Sequence, residues 1–153
     1  MYKNLKENYP LYEVRTTESF RALLDEGAEL FGDKAAFRFK VKGGEIKSVS
    51  YREFRDDVDT FARALISLGV KRGDHVAIWA TNVPQWYITF WATVKIGAVL
   101  VTVNTAYKIY EAEYLLRQSD THTLVMTDGY KDSNYVEIIK ELCPELAETE
   151  SGK

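Results

Sequence analysis

The sequence predicts an α/β fold, a parallel sheet of βαβ units with flanking helices and an amino-terminal hairpin. Three observations carry that reading. Short apolar runs at residues 75–80, 98–103 and 123–127 are separated by helical patterns, the order of right-handed βαβ units. The middle run, AVLVTV, is apolar almost throughout, as in a strand covered on both faces. Upstream, Phe37, Phe39 and Val41 alternate with Arg38, Lys40 and Lys42, the period of a half-buried strand. Gly43-Gly44 then offers a tight turn into residues 45–49, completing a hairpin that pairs apart from the main sheet or along its edge.

The helices follow from caps and periodicity. Thr16 and Thr17 are N-cap residues for a first helix, with Glu18 in its first turn. Phe20, Leu23, Leu24 and Phe31 share one face, and Gly32 closes the helix. Ser50 and Glu53 have capping-box spacing. Phe54, Val58, Phe61, Leu65 and Leu68 mark the buried side of the helix they open, and Gly69 ends it.

A third helix takes Asn82 as cap and Pro84 in its first turn. It directs Trp86, Phe90 and Val94 to the core, which leaves Trp91 uncovered. Further helices are predicted over Ile109–Gln118 and Tyr135–Leu142, the latter stopping before Pro144. The stretch 83–103 approaches a membrane span in length, but Pro84, Gln85, Lys95 and Gly97 interrupt it. A surface helix followed by a buried strand accounts for it, and no membrane span is predicted.

Composition narrows the function classes. Hydrophobic residues make up 46% and charged residues 28% of the chain, the balance of a folded domain. Twenty basic and 23 acidic residues are intermixed, for a formal net charge of −3, so there is no basic stripe for nucleic acid. Cys143 is the single cysteine, without a disulfide or metal-site partner. With no apolar secretory signal at the amino terminus, it predicts a reducing, cytoplasmic setting.

Chemistry is sought at the carboxyl ends of the strands, where open α/β sheets bind ligands. Those ends carry Thr81-Asn82, Asn104-Thr105 and Asp128-Gly129, residues that serve first as caps and turn formers. The nine glycines are scattered, and neither GxGxxG nor GxxxxGK[ST] occurs. His75 and His122 read as surface turn residues without an orienting partner. Asp56, Asp57 and Asp59 read as a solvated helix face, Glu111 and Glu113 as an early helix turn, and Cys143 as a structural thiol. No catalytic, cofactor-binding or metal-ligating residue is assigned to the chain.

The stretches SYREFRDDVDTFARALISLGVKRGDHVAIWATNVPQW, FWATVKIGAVLVTVN and YEAEYLLRQSD, with the earlier TTESFRALLDEGAELFGDKAAFRF, resemble the amino-terminal region of AMP-forming acyl-CoA synthetases. These are packing patterns, and their order and spacing carry the resemblance. It is nearest to the fatty-acyl-CoA synthetases of the adenylate-forming superfamily, from which Lys108-Ile109 departs, since family members often place Ser, Thr or Pro there. The resemblance implies a parent that activates a carboxylic acid with ATP and Mg and transfers the acyl group to CoA. It also implies that the phosphate loop, the ribose-binding motifs and the catalytic lysine would follow Lys153. The expected organisation is an extension at 1–15, an α/β subdomain at 16–144 and a polar tail at 145–153. The chain by itself is then an inactive scaffold that binds no cofactor. Its partners would be the remainder of the synthetase and, through an exposed packing face, a second copy. The alternative is a stand-alone α/β binding or self-association module.

Overall fold

The computed structural model describes residues 19–41 and 43–149. Helix α1 (Phe20–Phe31) starts at Ser19, whose Oγ accepts the Ala22 N–H at 3.2 Å, and closes at Gly32. The caps expected at Thr16-Thr17 and the first-turn Glu18 lie outside the described residues. The buried stripe of α1 is narrow, consisting of Leu24, Gly27 and Ala28. Phe20 and Leu23, expected on that stripe, remain 60% and 39% exposed. Phe20 instead leans edge-on against Phe90 and Trp91, at 6.2 and 6.0 Å between ring centres.

Strands β1 (Ala35–Lys40) and β2 (Ile46–Ser50) form the antiparallel hairpin. Gly43 and Gly44 turn it with φ of 104° and 93°, a region that side chains disfavour. Helix α2 (Tyr51–Ser67) opens with the predicted capping box, in which Ser50 Oγ accepts the Glu53 N–H at 3.2 Å and Glu53 Oε2 accepts the Ser50 N–H at 2.8 Å. The Ser50 N–H, and after it the Ser50 hydroxyl donating to the same Oε2 at 2.8 Å, hold the Glu53 carboxyl below its ordinary pKa. Phe54, Val58 and Leu65 are buried as predicted, whereas Leu68 is 66% exposed. The helix ends one residue too early for Leu68 to face inward, and Val70 fills the core position after the turn.

Strands β3 (His75–Trp79), β4 (Val99–Thr102) and β5 (Thr121–Met126) form one parallel sheet in the order β4-β3-β5. The crossovers are helix α3 (Pro84–Lys95) from β3 to β4 and helix α4 (Ile109–Gln118) from β4 to β5. A two-residue ribbon of β6 (Gly129–Tyr130) and β7 (Ser133–Asn134) follows, absent from the sequence reading. Helix α5 (Tyr135–Leu142) and a 3₁₀ turn at Pro144–Ala147 follow, the turn running into the tail expected from 145.

The two faces of the sheet are covered by different helices. On one side Val76 packs with Val58, Leu65 and Ala92 of α2 and α3. On the other Ala77 and Trp79 pack with Ala112 of α4 and with Tyr135 and Ile139 of α5. This alternation of β3, buried on both faces, is the signature of a central parallel strand. Strand β4 corrects an expectation. It lies at an edge, and Val99 is 46% exposed, so it is not covered throughout.

Helix α3 brings three corrections. Its cap is Val83, without a side-chain hydrogen bond, and Asn82 is exposed beside it. Its buried residues are Thr89, Ala92 and Thr93, small enough for close approach to α2, while Trp86, Phe90 and Val94 are half-buried. Trp91, expected to be uncovered, packs against the core and meets Phe54 edge-on at 6.5 Å. Trp86 and Phe90 stack on each other outside it, at 6.1 Å.

Candidate functional site at the carboxyl edge of the sheet

The chain leaves β3 towards the α3 face and leaves both β4 and β5 towards the opposite face. Where neighbouring strands send their connections to opposite faces, a crevice opens at their carboxyl ends. Between β3 and β5 that crevice is a cleft of about 450 Å³ bounded by α2 and α3. Phe61, Ala64, Ile78, Ile88 and Val125 give it an apolar wall, and Asp57, Thr60, Gln85, Thr89 and Thr127 supply polar atoms. Thr89 Oγ1 is used within α3, donating to the Gln85 carbonyl at 2.8 Å. Thr127 Oγ1 is inaccessible and has no hydrogen-bond partner among the described residues.

On the opposite face of the sheet, β3 ends in an aromatic clamp. The Trp79 and Tyr135 rings lie face to face, 3.9 Å between centres with an interplanar angle of 17°. Trp79 Nε1–H donates to the Asn104 carbonyl at 3.1 Å, and Tyr135 O–H donates to the Thr105 carbonyl at 2.8 Å. Asn104 Oδ1 meanwhile accepts the Ala106 N–H at 2.9 Å, the turn role the sequence predicts for it. Burial pushes the Tyr135 phenol above its ordinary pKa, so it remains a donor.

Lys108 ties the same loop to the β6–β7 ribbon. Its Nζ donates to Ser133 Oγ at 2.6 Å and pairs with Asp132 at 2.9 Å, which lowers the Asp132 carboxyl below its ordinary range. The residue that departs from the family pattern at this helix start therefore has a structural partner, although it caps nothing through its side chain. Within the ribbon, a Cβ at Gly129 would collide with the Ser133 carbonyl oxygen, so only glycine fits.

The remaining sequence candidates are scattered. Half-buried His75 donates from Nδ1 to the Ser119 carbonyl and joins the start of β3 to the end of α4, while exposed His122 contacts Thr123. Asp59 is not part of a solvated face: with Asp25 it flanks Lys95, at 2.5 and 3.0 Å, joining α1, α2 and α3. Asp56 and Asp57 are exposed, Asp56 pairing with Arg55 at 2.8 Å. Cys143 is half-buried at the end of α5. No cluster of His, Cys, Asp and Glu able to hold a metal occurs among the described residues. Sequence reasoning missed Thr127 and the Trp79–Tyr135 clamp, because neither has a spacing signal.

Fold and crevice define a doubly wound α/β unit with an apolar-walled cleft at the carboxyl ends of its strands. Comparison with known proteins gives the class a family. Residues 24–152 match the family described as AMP-binding enzyme, and the chain belongs to it. It is 40% identical over 131 residues to the putative acyl-CoA synthetase YngI of Bacillus subtilis (strain 168), covering 86% of this chain and 23% of that protein. To the medium-chain acyl-CoA ligase ACSF2, mitochondrial, of Danio rerio it is 35% identical over 145 residues, or 95% of this chain and 23% of the other. Among solved structures, the N-terminal subdomain of Klebsiella oxytoca NpsA superposes with a TM-score of 0.66 at 27% identity, over 74% of this chain and 28% of that one. The chain thus spans under a quarter of the two curated relatives and corresponds to an amino-terminal portion of an AMP-dependent synthetase.

Proposed function

We propose that the parent of this chain converts a carboxylic acid, ATP and CoA into acyl-CoA, AMP and pyrophosphate, with a fatty acid as the acid. This portion supplies scaffold. The observation that supports the reading is the cleft beside β5, whose wall is apolar and whose threonine hydroxyls are enclosed or already bonded within their own helix, with Asp57 and Gln85 rather than basic residues beside them. All catalytic, ATP-, Mg- and CoA-binding groups are placed elsewhere in the parent, and the subdomain spans 16–144 between an extension and a tail. The single Cys143 supports a reducing, cytoplasmic compartment. No helix among the described residues is long and apolar enough to cross a membrane.

Calorimetric titration of the purified chain with ATP–Mg²⁺, then fatty acid, then CoA tests this directly. No saturable heat is expected. Micromolar binding of any of the three, or acyl-adenylate formed by the chain alone, overturns the scaffold reading.

A second reading, self-association, is favoured by the aromatic side of α1 and α3, where Phe20, Leu23 and Tyr87 are 60%, 39% and 44% exposed. It predicts concentration-dependent dimers in analytical ultracentrifugation that Phe20→Ser disperses. A chain that sediments as a monomer at high concentration removes it.

A further inference from the structure

Along α1, Leu23, Gly27 and Phe31 recur at every fourth residue and so share one face of the helix. That face is one wall of an apolar groove of about 440 Å³, and Phe37 of β1 with Tyr87 and Trp91 of α3 form the others. No charged residue lines it. Leu23 and Tyr87 stay exposed at its rim, and Gly27, without a side chain, leaves its middle low beside the Tyr51 ring. A contiguous apolar surface of this kind calls for an occupant.

The polypeptide that enters α1 carries a segment of matching pattern. Residues 1–18 precede the described part of the chain, and residues 9–14 within them read YPLYEV. In an extended segment alternate side chains share a side. Pro10, Tyr12 and Val14 then form a wholly apolar set, and Glu13 falls in the other. Proline lacks a backbone donor and holds the residue before it extended, which suits a surface that presents side chains.

Spacing supplies the register. Alternate residues of an extended segment lie about 6.6 Å apart, and every fourth residue of a helix about 6 Å. Tethering favours this occupant over a second copy or a distant part of the parent. Only residues 15–18 separate the segment from Ser19, and so short a link sets a local concentration on the order of millimolar. The match to the Danio rerio ligase takes in 145 of the 153 residues, which leaves at most eight outside it, so residues 9–14 belong to the shared region.

We propose that residues 9–14 occupy this groove as an extended segment antiparallel to α1, with Pro10 against Phe31, Tyr12 over Gly27 and Val14 against Leu23. Seated there, the segment covers Leu23 and Tyr87, part of the face that a second copy would use, so the two occupants exclude each other. The inference concerns the packing of this chain and does not rest on the reaction of its parent.

The test uses the 153-residue chain with Cys143→Ser and one added cysteine pair at a time, oxidised at low protein concentration. Pro10→Cys with Phe31→Cys should close an intrachain disulfide about tenfold faster than Pro10→Cys with Leu30→Cys, which has nearly the same tether but lies exposed on another face of α1. Two further variants need no cysteine. Tyr12→Ser, facing the groove, lowers the thermal midpoint by about 4 °C, while Leu11→Ser, facing away, leaves it unchanged. Equal rates for the two disulfide pairs, or equal shifts for Tyr12→Ser and Leu11→Ser, overturn the proposal. Disulfides between chains for Pro10→Cys with Phe31→Cys give the groove to a second copy and overturn it as well.

Discussion

The layer of α2 and α3 and the layer of α4 and α5 cover the same sheet by different means. In the first, Val58, Leu65, Val76 and Ala92 interdigitate as aliphatic groups, and the Lys95 ammonium between Asp25 and Asp59 pins α1 to both helices. Each aliphatic group there is one of several that share the packing. In the second, one aromatic pair, Trp79 on Tyr135, fills the centre and supplies the hydrogen bonds to both Asn104 and Thr105. Stability on that side is concentrated in few groups. The two sides therefore differ in how many residues share the central packing.

Substitutions can break or sharpen this contrast, read as shifts of the urea midpoint at unchanged slope. The largest effect is expected for Trp79→Ala, about 4 kcal/mol, because a fully buried side chain, a stack and a loop hydrogen bond go together. Leu65→Ala, equally buried but among aliphatic neighbours, should lose about 3 kcal/mol. A loss as large as that of Trp79→Ala would erase the distinction between the layers. Lys95→Met leaves Asp25 and Asp59 facing one another without their cation and should lose about 2 kcal/mol, discounted because both carboxylates are partly exposed. Restoring stability with Asp59→Asn in that background would identify carboxylate repulsion as the cause.

Tyr135→Phe keeps the stack and removes only the bond to the Thr105 carbonyl, for a loss of about 1 kcal/mol. Exchange of the amides in the loop after β4 should speed up in this variant, while those of β3 stay protected.

The smallest effect concerns Glu53 and depends on pH. Its folded-state pKa is lowered by the Ser50 hydrogen bonds, so its contribution is present above the unfolded carboxylate pKa and fades as pH falls through the folded value. Glu53→Gln should flatten the acid limb of the stability profile, and an unchanged limb would show that the capping box does not contribute there.

Much of the fold was legible because its signals are local. The helices at Ile109–Gln118 and Tyr135–Leu142 fall where periodicity places them, and Ser50–Glu53 caps as its spacing demands. The three strands of the parallel sheet differ from expectation by two residues at most. The candidate site was far less legible. Its cleft is assembled from α2, β3, α3 and β5, and its polar members are ordinary threonines, glutamine and aspartate without a motif.

By itself the sequence determined the order and type of the longer elements, the capping of α2 and the α/β class with a parallel sheet of βαβ units, since these follow from local patterns. Tertiary structure decided which side of α3 is inside. The helix, PQWYITFWATVK, has apolar residues all round, so its pattern selects no face. Close approach to α2 selects the small side chains Thr89, Ala92 and Thr93 and turns Trp86 and Phe90 away. Tertiary structure also decided that Lys95 meets an aspartate 70 residues away and that Trp79 meets Tyr135. Contacts of that kind are set by where the sheet places its layers, a distance that no local period encodes.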